Sequence, residues 1–166
     1  MRIVFCAALV LCSACLDYSG HIALRFDDTL PPNVVDAARG AADVWESRTG
    51  LDLFIEVSEA NSPHVTVTEM SAGCVIEGAH RLGATDKDWT GDDNSMRGTV
   101  QLCVEDLDSA PSHFVVGIVA HEFGHLLRLE HESDQSNVMR ANVDGDWPWH
   151  ISDAQVEQVR DTTHAL

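Results

Sequence analysis

Four side chains between residues 121 and 131 have the types and spacing of a metal-dependent hydrolytic site. They are His121, Glu122, His125 and His131, in the order H-E-x-x-H-x-x-x-x-x-H. Residues four apart on a helix share a face, so His121 and His125 can turn their imidazoles toward one ion. Glu122, beside the first of them, can reach a water at that ion. His131 joins them only if the helix stops and the chain turns back after about Leu129. Three neutral imidazoles leave one position of a tetrahedral zinc open, which is the layout of a catalytic rather than a structural zinc.

This run resembles the zinc motif of the metzincin metallopeptidases, H-E-x-x-H-x-x-G-x-x-H, with Arg128 standing where that family has glycine. Met139 closes Ser136-Asn137-Val138-Met139, eight residues after His131. That segment resembles the methionine turn beneath the metal in metzincins, and its short spacing is most similar to the matrixin branch. The resemblance implies a zinc endopeptidase acting on a peptide or protein substrate. His121, His125 and His131 would hold one catalytic Zn²⁺, Glu122 would be the general base for a zinc-activated water, and Met139 would shape the floor without binding metal.

The same resemblance implies an α+β fold. A twisted, mostly parallel five-stranded sheet has an antiparallel edge strand, two helices pack on it, and a C-terminal helix follows the methionine turn. Gly78 to Leu82 would be the edge along which substrate backbone lies. Trp147 or Trp149 would line the specificity pocket, or else simply pack the last helix. The tyrosine that some metzincins place near the turn is absent, because the single tyrosine is Tyr18.

Arg128 is the departure. The family glycine sits where a helix ends and the backbone turns left-handed, which costs any other residue roughly 1 kcal/mol or a little more. One alternative therefore takes the third ligand from Glu132 or Asp134. Another is an exported zinc-binding lipoprotein that acts as a non-catalytic peptide- or protein-binding module. Glu122 argues against the latter, since a pure metal scaffold has no use for that carboxylate.

The elements that must position these groups can be read from periodicity. His21 to Phe26, Leu51 to Val57, His64 to Glu69 and Thr99 to Val104 are β-rich runs, with a weaker strand signal from Cys74 to Leu82 and a turn at Asn61-Ser62-Pro63. Val34, Ala38, Ala41 and Trp45 recur at helical spacing, after Pro31-Pro32 and before a capping Gly50. From His113 to about Leu129 apolar residues cover much of a second helix, so it is buried against a sheet. A glutamate inside such a helix is costly without a partner, and a metal site supplies the reason for it. Ser152 and Gln155 form a capping box, and Ile151 with Val156 a hydrophobic staple, for a last helix from Asp153 to roughly Thr163.

The 166 residues suffice for one domain with a core. Residues 1–14 read as an export signal, with a short apolar run ending in small residues. Leu11-Cys12-Ser13-Ala14-Cys15 also resembles a bacterial lipobox, which would make Cys15 a lipidated first residue; simple secretion with cleavage after Ala14 is the other reading. Either way residues 15–166 form a single catalytic-type domain outside the cytoplasm, touching membrane only through such an anchor. A net charge of −17, from 10 basic and 27 acidic side chains, excludes nucleic acid as a partner. Cys74 and Cys103, the pair left inside the domain, suggest a disulfide in an exported chain. Asp86 to Asn94 gathers carboxylates around a glycine, which can wrap Ca²⁺; a solvated acidic loop is the plainer reading. His64 and His80 read as ordinary strand or surface histidines.

Overall fold

A computed structural model describes residues 21–58, 64–70, 73–90, 95–142 and 147–163. Residues 1–14, read above as an export signal, and Cys15 lie outside the described residues, as do Tyr18 and Asn61-Ser62-Pro63, read above as a turn. No described helix is long and apolar enough to cross a membrane.

The fold is α+β. Its elements in order are β1 (Ile22–Phe26), α1 (Pro32–Thr49), β2 (Phe54–Glu56), β3 (Val65–Glu69), β4 (Val75–Ile76), β5 (Ala79–His80), β6 (Gly83–Thr90), β7 (Ser95–Leu102), α2 (Val104–Leu107), α3 (Ser112–Leu126) and α4 (Asp153–Thr163). Five strands form one sheet in the order β2-β1-β3-β7-β6. The first four run parallel, and β6 pairs antiparallel with β7 along the sheet edge. β4 and β5 make a separate two-stranded hairpin.

The antiparallel edge is thus Gly83–Thr90 and not Gly78–Leu82, which belongs to the hairpin and the segment after it. Asp86 to Thr90 is strand rather than acidic loop, and residues 91–94 lie outside the described residues. Its charged composition hides β6 in the sequence. Pairing with β7 satisfies its backbone on one side, and no continuous apolar run is needed on an edge.

α1 buries Val34, Ala38, Ala41 and Trp45 along one stripe. Gly50 ends it in the left-handed conformation, φ 70°, with its N–H donating to the Glu46 carbonyl at 2.8 Å. Trp45 is fully buried, and its indole N–H donates to the Ala120 carbonyl of α3 at 2.8 Å. Truncating such a side chain to alanine costs about 3–5 kcal/mol. The same contact locks α1 against the helix that carries His121 and Glu122.

α3 is buried along much of its length, including Val115, Ile118, Val119, Phe123 and Leu126. It ends at Leu126, about three residues before the sequence reading placed its end. Arg128 takes φ 66°. The Leu129 N–H donates to the Gly124 carbonyl at 3.0 Å and the Arg128 N–H to the His125 carbonyl at 3.1 Å. Those two bonds make a Schellman cap with arginine in the position glycine usually takes.

Candidate metal centre

His121 and His125 stand one turn apart on α3, and the Schellman cap reverses the chain so that His131 returns to them. The three rings lie 4.8–5.2 Å apart between centroids. Their ligand atoms fall within 4.8 Å of one another. His125 Nε2 and His131 Nε2 are 3.2 Å apart. Two nitrogens bound tetrahedrally at about 2.0–2.1 Å from zinc would be about 3.3 Å apart, so this spacing fits a shared ion. Glu132 and Asp134 are not in the cluster. Asp134 Oδ1 instead accepts from the Ser136 N–H at 2.9 Å and hydroxyl at 3.0 Å, closing a local turn.

Two of the imidazoles are fixed from behind. His121 Nδ1 lies 2.8 Å from the Val138 carbonyl and His125 Nδ1 2.9 Å from the Leu129 carbonyl. A carbonyl can only accept, so each Nδ1 carries the proton and each Nε2 keeps its lone pair for a metal. Burial also disfavours their charged forms. It takes His121 down to about 4 and lowers His125, with the neighbouring rings adding to the effect. Both are therefore neutral at physiological pH, the state a ligand needs. The residues present fit a divalent transition metal.

Glu122 lies in the same cleft but faces the sheet edge. Its side chain is buried, and its carboxyl is pushed up to about 7, because burial penalises the charge more than its partners favour it. Thr85 is the main partner. Its hydroxyl lies 2.7 Å from Glu122 Oε2 and 3.1 Å from the Glu122 carbonyl. Gly83, two residues earlier on the same face of β6, leaves the space for the carboxylate: a Cβ there would stand 2.8 Å from Glu122 Cγ. Lys87, two residues later, donates from Nζ to the His125 carbonyl at 2.7 Å. Gly83, Thr85 and Lys87 thus line one face of β6 along the α3 helix. Sequence reading missed this role, although their i, i+2, i+4 spacing was the available signal.

The cleft encloses about 470 Å³. β6 and the β4–β5 hairpin form one side, with His80 and Leu82 on its wall; α3 and the three histidines form the other, with Arg140 to Asn142 at the rim. Neither Trp147 nor Trp149 is among the described residues lining it. Trp147 is buried in the main core. Trp149 packs on α3 at Gly117, where any Cβ would collide with its indole, and donates to the His113 carbonyl at 3.1 Å. Both tryptophans therefore anchor the end of the chain.

Met139 is fully buried beneath α3. A Cβ on Gly124 would collide with its sulfur, so the small residue between Phe123 and His125 lets the thioether sit against the helix. The turn that carries Met139 also supplies the Val138 carbonyl to His121. Asn137, buried within it, accepts from the Met139 N–H at 2.7 Å and from the Gln155 Nε2 at 2.7 Å, while its own amide donates to Gln155 Oε1 at 3.2 Å. Gln155 Oε1 also accepts from the Ser152 N–H at 3.0 Å, and the Gln155 N–H donates to the Ser152 hydroxyl at 3.3 Å. The cap of α4 and the turn below the histidines are thus one hydrogen-bonded unit. Cys74 and Cys103 are joined by a disulfide.

No protein-family profile matches the chain, and no curated protein is significantly similar to it.

Proposed function

We propose that this chain is a zinc endopeptidase of the metzincin type, nearest the matrixin branch. The observation that carries the reading is a buried carboxyl, Glu122, held at the same cleft as three convergent imidazoles. A scaffold that only bound metal would have no reason to bury and orient that carboxyl, because burial without a charge partner is unfavourable.

His121, His125 and His131 would hold the ion through Nε2. Zinc bound there would supply Lewis acidity to the scissile carbonyl and acidify a water. Glu122 takes the proton from the attacking water at its carboxylate and passes it to the leaving amine. Thr85 fixes the rotamer in which it does so, and Gly83 leaves it room. A carboxyl raised to about 7 is in the range a general base needs at neutral pH, and a cation held by the three histidines would favour its ionised form. The outer edge of β6 has backbone groups that an extended peptide can pair with, so the substrate strand is read as lying along Gly83 to Lys87. The turn through Met139 is read as the methionine turn, with Arg128, at φ 66°, taking the place of the family glycine. The disulfide supports a location outside the cytoplasm.

The test is cleavage of a quenched-fluorescent peptide mixture by zinc-loaded protein beside Glu122→Ala. Hydrolysis that disappears in the variant and with a chelator is the expected result. Folded, zinc-containing protein that cleaves nothing would overturn the reading in favour of a non-catalytic peptide-binding module.

A further inference from the structure

We propose that Cys74, His80, Cys103 and Asp106 form a second metal site, suited to a thiophilic divalent cation such as Zn²⁺, which opens when a dithiol reduces the Cys74–Cys103 disulfide. The ligand atoms of these four residues lie within 4.8 Å of one another. They come from separate places in the chain: the start and end of the β4–β5 hairpin, the residue after β7, and α2. His80 Nε2 stands 3.0 Å from Asp106 Oδ2, and Cys103 Sγ 3.4 Å from the same oxygen.

The chemistry of the set is specific. Two sulfurs, one imidazole and one carboxylate make a complete tetrahedral shell of the types zinc prefers. The sulfurs are buried against Met70, Ile76 and Ala84, whereas His80 and Asp106 are exposed. A cation can therefore enter from solvent and be closed off on its inner side by apolar groups. An exposed histidine–carboxylate pair alone contributes little to stability, so the burial of a sulfur pair directly beneath it is what singles this cluster out.

While the disulfide stands, the sulfurs have no thiolate to offer. A dithiol reductant breaks the S–S bond, giving two thiols on this chain and a disulfide on the reductant. Metal entry then releases the two thiol protons to solvent, and the ion bridges the sulfurs that the covalent bond had joined. The hairpin stays tied to α2 in both states. His80 also lines the catalytic-type cleft, so the second site and the histidine cluster share a wall. The inference does not depend on peptidase activity.

The experiment uses the full chain with Cys6→Ser, Cys12→Ser and Cys15→Ser, leaving Cys74 and Cys103 as its thiols. Oxidised and dithiothreitol-reduced samples, desalted under argon, are titrated with Cd²⁺ while the ultraviolet thiolate-to-cadmium charge-transfer band and circular dichroism are followed. The histidine cluster contains no sulfur and cannot produce that band. Reduced protein should take up one more equivalent of Cd²⁺ than oxidised protein, and that equivalent should carry the band. His80→Ala and Asp106→Ala, both at exposed positions, should each weaken the extra equivalent by at least about tenfold. If reduction loosens the fold, one equivalent of Cd²⁺ should restore it. Equal uptake by reduced and oxidised protein overturns the proposal. So does a band indifferent to both substitutions, which would mean two thiols chelating alone, and so does a reduced chain that stays unfolded with Cd²⁺.

Discussion

The Thr85 hydroxyl lies 2.7 Å from Glu122 Oε2, and it joins the sheet edge to the carboxyl that, alone among the described residues, lines the histidine cleft. It has a single proton to give, and the ionised carboxylate is the stronger acceptor. Its hydrogen bond opposes the burial that raises the Glu122 pKa. Thr85→Val keeps the shape and removes that bond. A hydrogen bond to a charged group contributes about 1.5–3 kcal/mol, so kcat for peptide hydrolysis should fall about 10- to 100-fold. The acidic limb of the pH–rate profile should move to higher pH, since the ionised form of Glu122 has lost a partner. Metal content should not change, and Thr85→Ser should restore most of the rate. An unchanged profile would show that Thr85 serves packing only.

The metal-free protein should carry a measurable penalty at high pH. Glu122 has a folded pKa of about 7, above its ordinary 4.5. The folded state thus holds a proton that the unfolded state has already lost between those values. The favourable contribution is full below pH 4.5 and is lost as pH rises through 7. The gap corresponds to about 3 kcal/mol at most. His121 acts in the opposite sense. Its folded pKa of about 4 lies below the ordinary 6.5, so its contribution is full above pH 6.5 and lost as pH falls through 4. Glu122→Gln removes only the first effect. In urea unfolding of metal-free protein the variant should match the parent near pH 4.5 and exceed it by about 2–3 kcal/mol at pH 8. Equal stability at pH 8 would contradict the burial argument.

Sequence and structure agree best where one local rule decides the outcome. The i, i+4 spacing of His121 and His125, the glycine stop of α1 and the Ser152–Gln155 box each depend on a few neighbouring residues, and each was legible. β6 was not. Most of its residues are charged or small, and its strand state comes from antiparallel pairing with β7, the next strand along the chain. The helix α2, one turn long, carries no periodicity to read. Thr85 and Gly83 acquire their meaning only when β6 is laid against α3. Asn137 was seen as part of a turn, but its amide partner lies on α4, a contact no spacing rule reaches.

Arg128 offers a test of how much strain the return of His131 stores. Its φ of 66° is uncommon for a residue with a Cβ and worse for a β-branched one. Arg128→Gly should fold and bind metal as well as the parent, with stability unchanged or raised by up to about 1 kcal/mol. Arg128→Val should lower stability by about 1–2 kcal/mol and weaken metal binding, because the cap that turns His131 back is the part under load. Thermal unfolding with and without chelator separates the two effects. A valine variant as stable as the parent would mean that the backbone relaxes to another cap.

The Asn137–Gln155 pair should couple α4 to the histidine site. Asn137 is almost wholly buried and satisfies both the Met139 N–H and the Gln155 amide. Its successor Val138 presents the carbonyl that orients His121. Asn137→Ala strands a buried N–H and one end of the Gln155 amide, each costing about 1–3 kcal/mol. Stability should therefore fall by about 2–6 kcal/mol, and the Val138 carbonyl should lose its fixed position. Metal affinity should drop about 10- to 100-fold, the range expected when the group behind a ligating histidine is disturbed. Gln155→Ala should show a comparable loss of stability, with a smaller loss of metal affinity, because Asn137 would keep its bond to Met139. Competition with a chromophoric chelator, beside urea unfolding of the same variants, measures both quantities. Affinity that stays at the parent value while stability falls would mean that the turn below His121 is held by Met139 and the core, and that the amide pair serves α4 alone.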